Sequence, residues 1–176
     1  MITSRPSPRL RASRAFPLVG LAILLGAATP AWGACTDPAS PDVNWRRCYM
    51  DGRDFRKADL TGAMLRDTTF QRSNLGEAVL AKSDAYRAKF VSADMRGVIL
   101  DGARLIEADL TRADLAGASL QGADLRNAKL VNANLTGANL TGAQLSGADL
   151  RNAELSGATW VDGKRVCGTP SVGQCN

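Results

Sequence analysis

Four cysteines carry the clearest chemistry in this sequence. Cys35 and Cys48 lie towards the N-terminus, and Cys167 and Cys175 lie near the C-terminus. Cysteine sulfurs either bind a metal such as zinc or pair as disulfides, and a structural zinc site normally shows a Cys-x-x-Cys pair or histidine ligands. The sequence has neither a Cys-x-x-Cys pair nor any histidine. Disulfides are therefore the expected chemistry, and we expect no metal.

The candidates for catalysis are weak. A chain without histidine lacks the Ser-His and Cys-His nucleophile systems and the usual ligands of zinc hydrolases. The segment ATWVDGKR at 158–165 is similar to a phosphate-binding loop, but Ala158 replaces its first glycine and Arg165 replaces the final Ser or Thr. Carboxylates are frequent, yet they occupy positions that should face water, where no burial would shift their pKa. We expect no enzymatic activity and no cofactor.

The first 33 residues have the order of a secretory signal peptide. A head without acidic residues precedes the apolar run FPLVGLAILLGAA and the small-residue exit TPAWGAC. The basic residues of the head are Arg5, Arg9, Arg11 and Arg14. Cleavage after Gly33 would leave the small residues Ala31 and Gly33 at the positions that the signal peptidase reads, whereas cleavage after Ala34 would place bulky Trp32 there. We predict a signal peptide at 1–33.

Two membrane-bound alternatives are disfavoured. The apolar run is shorter than the roughly 20 residues that span a bilayer. A lipid anchor on Cys35 would require an aliphatic residue where Trp32 stands. The prediction is therefore a soluble exported protein, periplasmic or extracellular, with no membrane span.

Export changes the charge of the protein. The full chain has 22 Lys and Arg against 17 Asp and Glu, and four of the arginines would leave with the signal peptide. The mature chain then carries 18 basic against 17 acidic residues, a net charge of +1. Nucleic-acid binders neutralise many phosphates with Lys and Arg, so a nearly neutral mature chain argues against a nucleic-acid partner.

Residues 51–160 repeat with a period of five. Every position divisible by five in this range, which we call the leucine position, is large and apolar except Ala85. The residue two before it, which we call the alanine position, is mostly alanine. Five residues of α-helix turn about 500°, so the leucines would form no face, and on a straight strand they would alternate between faces. They can all point inward only if the chain turns a corner in every pentad, which predicts an all-β solenoid.

The pentads carry a family resemblance. Segments such as ADLTG, ADLAG and ANLTG resemble the units of the pentapeptide-repeat family, over residues 51–160. The resemblance implies a right-handed quadrilateral β-helix with four pentads per coil, here about five and a half coils. Phe55 and Trp160 would then plug the two ends of the core. The flanking segments 34–50 and 161–176 are expected to be disulfide-bearing caps.

Four pentads per coil would stack residues twenty apart into columns. Some columns alternate in charge, such as Lys89, Asp109, Lys129 and Asp149. We interpret these columns as solvated ladders that keep the β-helix soluble and in register. One column is weakly acidic, has no basic member and is the best candidate contact surface. It consists of Asp54, Asn74, Asp94, Asp114, Asn134 and Glu154.

The four cysteines allow three pairings, and the geometry of a solenoid favours one. A disulfide needs Cα atoms within about 7 Å, whereas a link between the two ends would have to cross the whole length of the solenoid. Cys48 is held next to the first coil and Cys167 follows the last one. We predict the pairs Cys35–Cys48 and Cys167–Cys175, each closing a short loop over an end that would otherwise expose unpaired edges.

These features predict a non-enzymatic exported scaffold or protein-interaction module of the cell envelope. Its partner would be another protein or an envelope component, and neither the identity of the partner nor the oligomeric state follows from the sequence. The alternative is a DNA mimic that modulates a topoisomerase, as known among cytoplasmic proteins that resemble this fold. The export signal and the near-neutral mature charge disfavour this alternative.

Overall fold

The structure, a computed structural model, describes residues 35–176 and shows a four-sided β-helix. The predicted signal peptide at 1–33 lies outside the described residues. In residues 35–176 there is no helix, and every β-bridge is an isolated contact of single residues rather than part of a longer strand. Accordingly, this part of the chain contains no helix that could span a membrane.

Each pentad consists of two turn residues followed by three extended residues, the middle one of which forms the bridge. Parallel bridges join residues twenty apart throughout, so four pentads complete one coil. We name the four sides by their bridge residues, one in every twenty. Side A runs from Asn44 to Gln144, side B from Tyr49 to Asp149, side C from Asp54 to Glu154 and side D from Asp59 to Thr159. The two turn residues between neighbouring sides form a corner.

The β-helix begins at residue 41, not at the predicted boundary of 51. Residues 41–50 form two further pentads, in which Trp45 and Met50 take the leucine position and Cys48 takes an alanine position, all of them buried. The sequence does not show the repeat here because the usual leucine and alanine are replaced. No further coil stacks on this end of the core, which leaves space for side chains bulkier than alanine. The predicted N-terminal cap at 34–50 is thus largely part of the β-helix, which is half a coil longer than expected.

Backbone hydrogen bonds between coils recur at the same positions of the pentads. The N–H of the leucine position donates to the bridge residue of the next coil, as from Leu100 to the Ser119 carbonyl at 2.7 Å. The N–H of the second corner residue donates to the next corner, as from Gly102 to the Gln121 carbonyl at 2.8 Å. Every inner coil is therefore stabilised by a neighbouring coil on both sides, whereas each end coil has a neighbouring coil on one side only.

Leucine and alanine positions fill the core, with an aromatic cluster at its N-terminal end. The Trp45 ring lies 5.3 Å from Phe55 and 6.4 Å from Phe70, and the Phe70 ring stacks on Phe90 at 5.3 Å with nearly parallel planes. Phe55 thus shares the end of the core with Trp45. Trp160 lies half-buried at the opposite end.

Both predicted disulfides are formed. The Cα atoms of Cys35 and Cys48 are 5.5 Å apart, and those of Cys167 and Cys175 are 4.9 Å apart. The C-terminal tail, residues 161–176, returns across the last coil in the opposite direction. Its antiparallel bridges are Thr159–Val166 on side D and Glu154–Val172 on side C.

One buried hydroxyl in the core has no hydrogen-bond partner among the described residues. Ser83 occupies an alanine position and is 1% exposed, and its Oγ bonds to nothing. We expect Ser83→Ala to raise the free energy of unfolding by about 1–2 kcal/mol, because a desolvated hydroxyl without a partner is replaced by the residue that this position normally holds. Urea denaturation measures the change.

Ser73 provides the matched control for this substitution. It occupies the same position of another pentad, but its Oγ donates to the Phe70 carbonyl at 2.6 Å. Ser73→Ala is expected to leave stability unchanged or to lower it slightly. If both substitutions lowered stability equally, the hydroxyl of Ser83 would have a partner in solution and the explanation would be wrong.

Candidate interaction surface

The predicted contact column lies on side C. Consecutive parallel bridges place its six residues in one line along the β-helix. They are Asp54, Asn74, Asp94, Asp114, Asn134 and Glu154. Their role in binding stays a prediction.

Arginines from the adjacent corner lie against this column. Arg56 Nη2 is 2.7 Å from Asp54 Oδ2, and Arg96 pairs with Asp94 and reaches Asp114 at 3.7 Å. The column itself contains no basic residue, yet the two arginines contact three of its four carboxylates and offset half of its negative charge. Side C is therefore a mixed-charge surface rather than an acidic one.

These ion pairs follow a local motif that the column reasoning missed. The order Asp-x-Arg places an arginine at the first corner position, two residues after an aspartate at a bridge position. It occurs on sides A, B and C, and each instance forms a side-chain ion pair. The four pairs are Asp54–Arg56, Asp94–Arg96, Asp124–Arg126 and Asp149–Arg151. The signal for these pairs in the sequence is an aspartate at a bridge position with an arginine two residues after it.

The arginines lower the pKa of their aspartates. The side-chain hydrogen bond from Arg56 lowers the pKa of Asp54 from its ordinary value to about 2. The pKa of Asp94 is lowered in the same way by Arg96, and that of Asp149 by Arg151. From the sequence alone no shift of these pKa values is expected, because nothing buries the carboxylates. Hydrogen bonding to the charged form, rather than burial, is the cause.

The shift at Asp54 provides a test of the ion pair. We expect Arg56→Gln to raise the pKa of Asp54 from about 2 towards the ordinary value of roughly 3.9, because the charged form loses its main hydrogen-bond donor. Carboxyl-carbon NMR titration measures it. A pKa lowered by folding stabilises the native state above the unfolded-state pKa, and this stabilisation is lost as pH falls through about 2.

Arg112 supplies the control for that titration. It is an exposed arginine with no ion pair in the described structure, so Arg112→Gln should leave the Asp54 titration unchanged. An unchanged Asp54 pKa in the Arg56→Gln variant would show that the ion pair does not form in solution.

The amide and glutamate members of the column are bonded internally as well. Asn134 Nδ2 donates to Asp114 Oδ1 at 2.9 Å, and Thr136 Oγ1 donates to Asn134 Oδ1 at 2.6 Å. The Ser156 hydroxyl donates to Glu154. A partner on side C would have to compete with these bonds, which lowers the gain from a new contact.

A second cluster of charges surrounds Tyr86, at the corner after side A. The guanidinium carbons of Arg66 and Arg104 each lie 5.2 Å from the centre of the Tyr86 ring. Both arginines also contact Asp84, at 3.3 and 3.4 Å. Tyr86 donates its hydroxyl hydrogen to Glu107 at 3.3 Å. Because acids balance the bases, the cluster stabilises the register of three coils without creating a basic patch.

Side D differs from the others in having no charged bridge residue after Asp59. Its later members are Val79, Ile99, Ser119, Asn139 and Thr159. Ile99 is an exposed large apolar residue on this side. Between residues 35 and 176 the structure also contains no group of three or more His, Cys, Asp or Glu side chains placed to hold a metal.

A closed coil of stacked pentads with Leu and Ala inside defines a pentapeptide-repeat protein. The chain belongs to this family: eight copies of the pentapeptide repeats match, across residues 42–72, 65–102, 100–130 and 118–157. The first match begins at residue 42, in agreement with the start of the β-helix in the structure. The fold is the right-handed quadrilateral β-helix of the family.

Several solved pentapeptide-repeat proteins are similar to the chain. HetL of the cyanobacterium Nostoc sp. strain PCC 7120, involved in heterocyst differentiation regulation, is 31% identical over 72% of this chain and 73% of HetL, with a TM-score of 0.30. A protein of the Arabidopsis thaliana thylakoid lumen is 33% identical over 61% of this chain and 68% of its own, with a TM-score of 0.26.

A third structure is more distant. QnrB1, a plasmid-mediated fluoroquinolone resistance protein, is 18% identical over 68% of this chain and 75% of its own, with a TM-score of 0.34. At this identity the likeness concerns the fold alone. None of the curated proteins compared with the chain matches it.

Proposed function

We propose that this protein is a non-enzymatic scaffold or protein-interaction module exported to the cell envelope. The observation that carries the proposal is the pair of disulfides, one at each end of the β-helix, which leave no cysteine free. Disulfides persist in oxidising compartments such as the periplasm and the cell exterior, and are rare in the cytosol. The order of residues 1–33 supports the same compartment.

An interaction role fits the distribution of side chains. The interior is filled by the leucine and alanine positions, so every group able to bind lies on the sides, the corners or the ends. The aspartates of the Asp-x-Arg pairs are held in their charged form by arginine, not raised towards neutrality as a general acid would require. Flat sides of stacked short segments present a surface suited to another macromolecule.

The charge pattern disfavours the DNA-mimic alternative. Duplex DNA carries one negative charge per roughly 1.7 Å of its axis, and a mimic needs a comparably continuous acidic face. Here the mature chain would be nearly neutral, and arginines neutralise aspartates on sides A, B and C. We therefore rank the envelope role first.

Processing and location provide the first test of the proposal. When the full chain is expressed in a bacterial host, we expect the stable product to begin at Ala34, to lie outside the cytosol and to contain no free thiol. Fractionation with intact-mass measurement checks all three. As a control, Leu24→Arg interrupts the apolar run and should keep the chain unprocessed. Full-length wild-type protein in the cytosol would overturn the export proposal.

Crosslinking from defined sides tests the interaction role. A photoreactive amino acid can be placed at one exposed or half-exposed bridge residue per side: Arg104 on side A, Lys129 on side B, Asn74 on side C and Asn139 on side D. We expect one side to give a discrete adduct with an envelope component, while the others give little. If none of the four positions gave an adduct, or if all four gave the same mixture of adducts, a specific scaffold role for the sides would be contradicted.

A further inference from the structure

The C-terminal tail covers only two of the four sides of the last coil. On sides C and D it supplies the backbone acceptors that a further coil would otherwise provide. Leu155 N–H donates to the Ser171 carbonyl, Gly157 N–H to the Cys167 carbonyl and Trp160 N–H to the Arg165 carbonyl, each at 2.8 Å. An extended segment running antiparallel to the coil can therefore follow a corner of the β-helix and accept hydrogen bonds from the backbone N–H groups at its edge.

Sides A and B of the last coil receive no such backbone acceptors, and the tail reaches only the end of side B, where Gly173 lies beside the Leu150 carbonyl and the Asn152 nitrogen. One coil earlier, Leu125 N–H donates to the Gln144 carbonyl at 2.9 Å and Leu130 N–H to the Asp149 carbonyl at 2.8 Å. In the last coil the equivalent N–H groups have no acceptor anywhere in residues 35–176. These are the backbone donors of Leu145, Gly147, Leu150 and Asn152.

The burial of the leucine side chains also differs between the covered and uncovered sides of the last coil. Leu125 and Leu130 are fully buried, and so is Leu155 beneath the tail. Leu145 and Leu150 are only partly buried, although they occupy the same leucine position. A row of unpaired N–H groups therefore lies beside two half-exposed leucines, which is the arrangement of an open sheet edge.

We propose that this open edge, on sides A and B at the C-terminal end, binds an extended segment of a partner protein by strand addition. The inference rests on the proposed interaction function and names the site. The segment supplies main-chain carbonyls to Leu145, Gly147 and Leu150, and places apolar side chains on the two leucines. The tail on sides C and D shows the form of occupant that fits, a short antiparallel segment that bends at the corner.

The rim of the open edge favours an acidic segment. The side chains of Lys164 and Arg165 are exposed and form no ion pair among the described residues. Asp162 beside them accepts hydrogen bonds from both of their backbone N–H groups, so the three residues together carry a net charge of +1. They belong to the hairpin closed by the Thr159–Val166 bridge, whose Gly163 lies against Thr141 at the corner next to side A. Acidic residues flanking the apolar centre of the partner segment would pair with them.

A second copy of the chain fits this edge less well. In a head-to-tail stack, the first coil of the next copy would need all four sides of the last coil. The tail already occupies sides C and D and is held there by the Cys167–Cys175 disulfide. The remaining space accommodates a single extended segment but not a complete coil.

Amide hydrogen exchange on the purified mature chain tests the edge without any substitution. We expect Leu145, Gly147 and Leu150 to exchange at least about tenfold faster than Leu155, Gly157 and Trp160 beneath the tail. Equal protection of the two groups would mean that the edge is already satisfied, and would overturn the proposal. This measurement does not depend on where the protein resides, so it fails independently of the export test.

Binding is then tested with a synthetic peptide of about ten residues, alternating valine and threonine with acidic residues at both ends. We expect it to slow exchange at Leu145, Gly147 and Leu150 by about tenfold at saturation. The control peptide has the same ends but proline at alternate positions, which prevents a regular ladder, and should have no effect. Protection that appears at other amides, or with the control peptide, would overturn the assignment.

Two matched substitutions complete the test. Leu150→Glu places a charge on the open edge and should weaken peptide binding at least about tenfold. Ile99→Glu places the same charge on exposed side D, away from the edge and between the neutral bridge partners Val79 and Ser119, and should leave binding unchanged. Equal effects of the two would contradict the site. Protection that rises with protein concentration in the absence of peptide would identify a second copy as the occupant and overturn the proposed partner.

Discussion

Replacing Phe70 by alanine is expected to lower the free energy of unfolding by about 3–5 kcal/mol. The ring is fully buried, stacks on Phe90 at 5.3 Å and lies within 6.4 Å of both Trp45 and Phe55. Its removal leaves a cavity between rings that are each held by their own coil and cannot collapse into it. Urea denaturation, followed by the fluorescence of the two tryptophans of the β-helix, Trp45 and Trp160, measures the loss.

Tyr49 is the control for the aromatic cluster. It is a bridge residue of the first coil with 77% of its surface exposed, so Tyr49→Ala should change stability by less than about 0.5 kcal/mol. A loss below about 1 kcal/mol for Phe70→Ala would show that the aromatic end of the core is not tightly packed.

Removing the N-terminal disulfide is expected to cost about 3 kcal/mol. The chain-entropy model gives this figure for a loop of the size closed by Cys35 and Cys48, which are 13 residues apart. Changing both cysteines to alanine isolates this effect well, because Cys48 occupies an alanine position of the repeat. The measurement is urea unfolding with and without a thiol reductant.

The C-terminal disulfide serves as the comparison. Cys167 and Cys175 are 8 residues apart, so the same model predicts a slightly smaller loss, roughly 2.5 kcal/mol. Wild-type protein should lose stability on reduction, and a variant lacking all four cysteines should not respond. If reductant left wild-type stability unchanged, the disulfides would not stabilise the ends.

The interior of the fold followed from the sequence because it is strictly periodic. A leucine every five residues, with alanine two residues before it, admits a coil with a corner in each pentad and excludes a helix or a flat strand. The structure confirms the columns, with parallel bridges such as Asp94–Asp114 joining residues twenty apart. The period does not show that the repeat continues where other residue types occupy the leucine and alanine positions. The first two pentads, with Trp45 and Met50, were therefore not predicted.

The surface was less predictable for a different reason. A column contains residues of neighbouring coils, such as Asp94 and Asp114, but not their neighbours along the chain. Arginine has a long side chain that reaches back from the corner to the bridge residue, as Arg96 does to both of these aspartates. The position of the candidate column was therefore predicted, but its charge was not. The half-open C-terminal edge depends on where the tail lies, which no local pattern indicates.

The charge ladder of side B also governs how the length of this protein can change. Deleting one pentad would keep leucine inside but rotate all later residues by one side. Deleting a whole coil, residues 91–110, would restore the sides but set Lys89 beside Lys129, where like charges repel. Deleting two coils, residues 91–130, would set Lys89 beside Asp149 and keep the alternation. Duplication and loss of sequence in such a protein should therefore be tolerated best in steps of two coils.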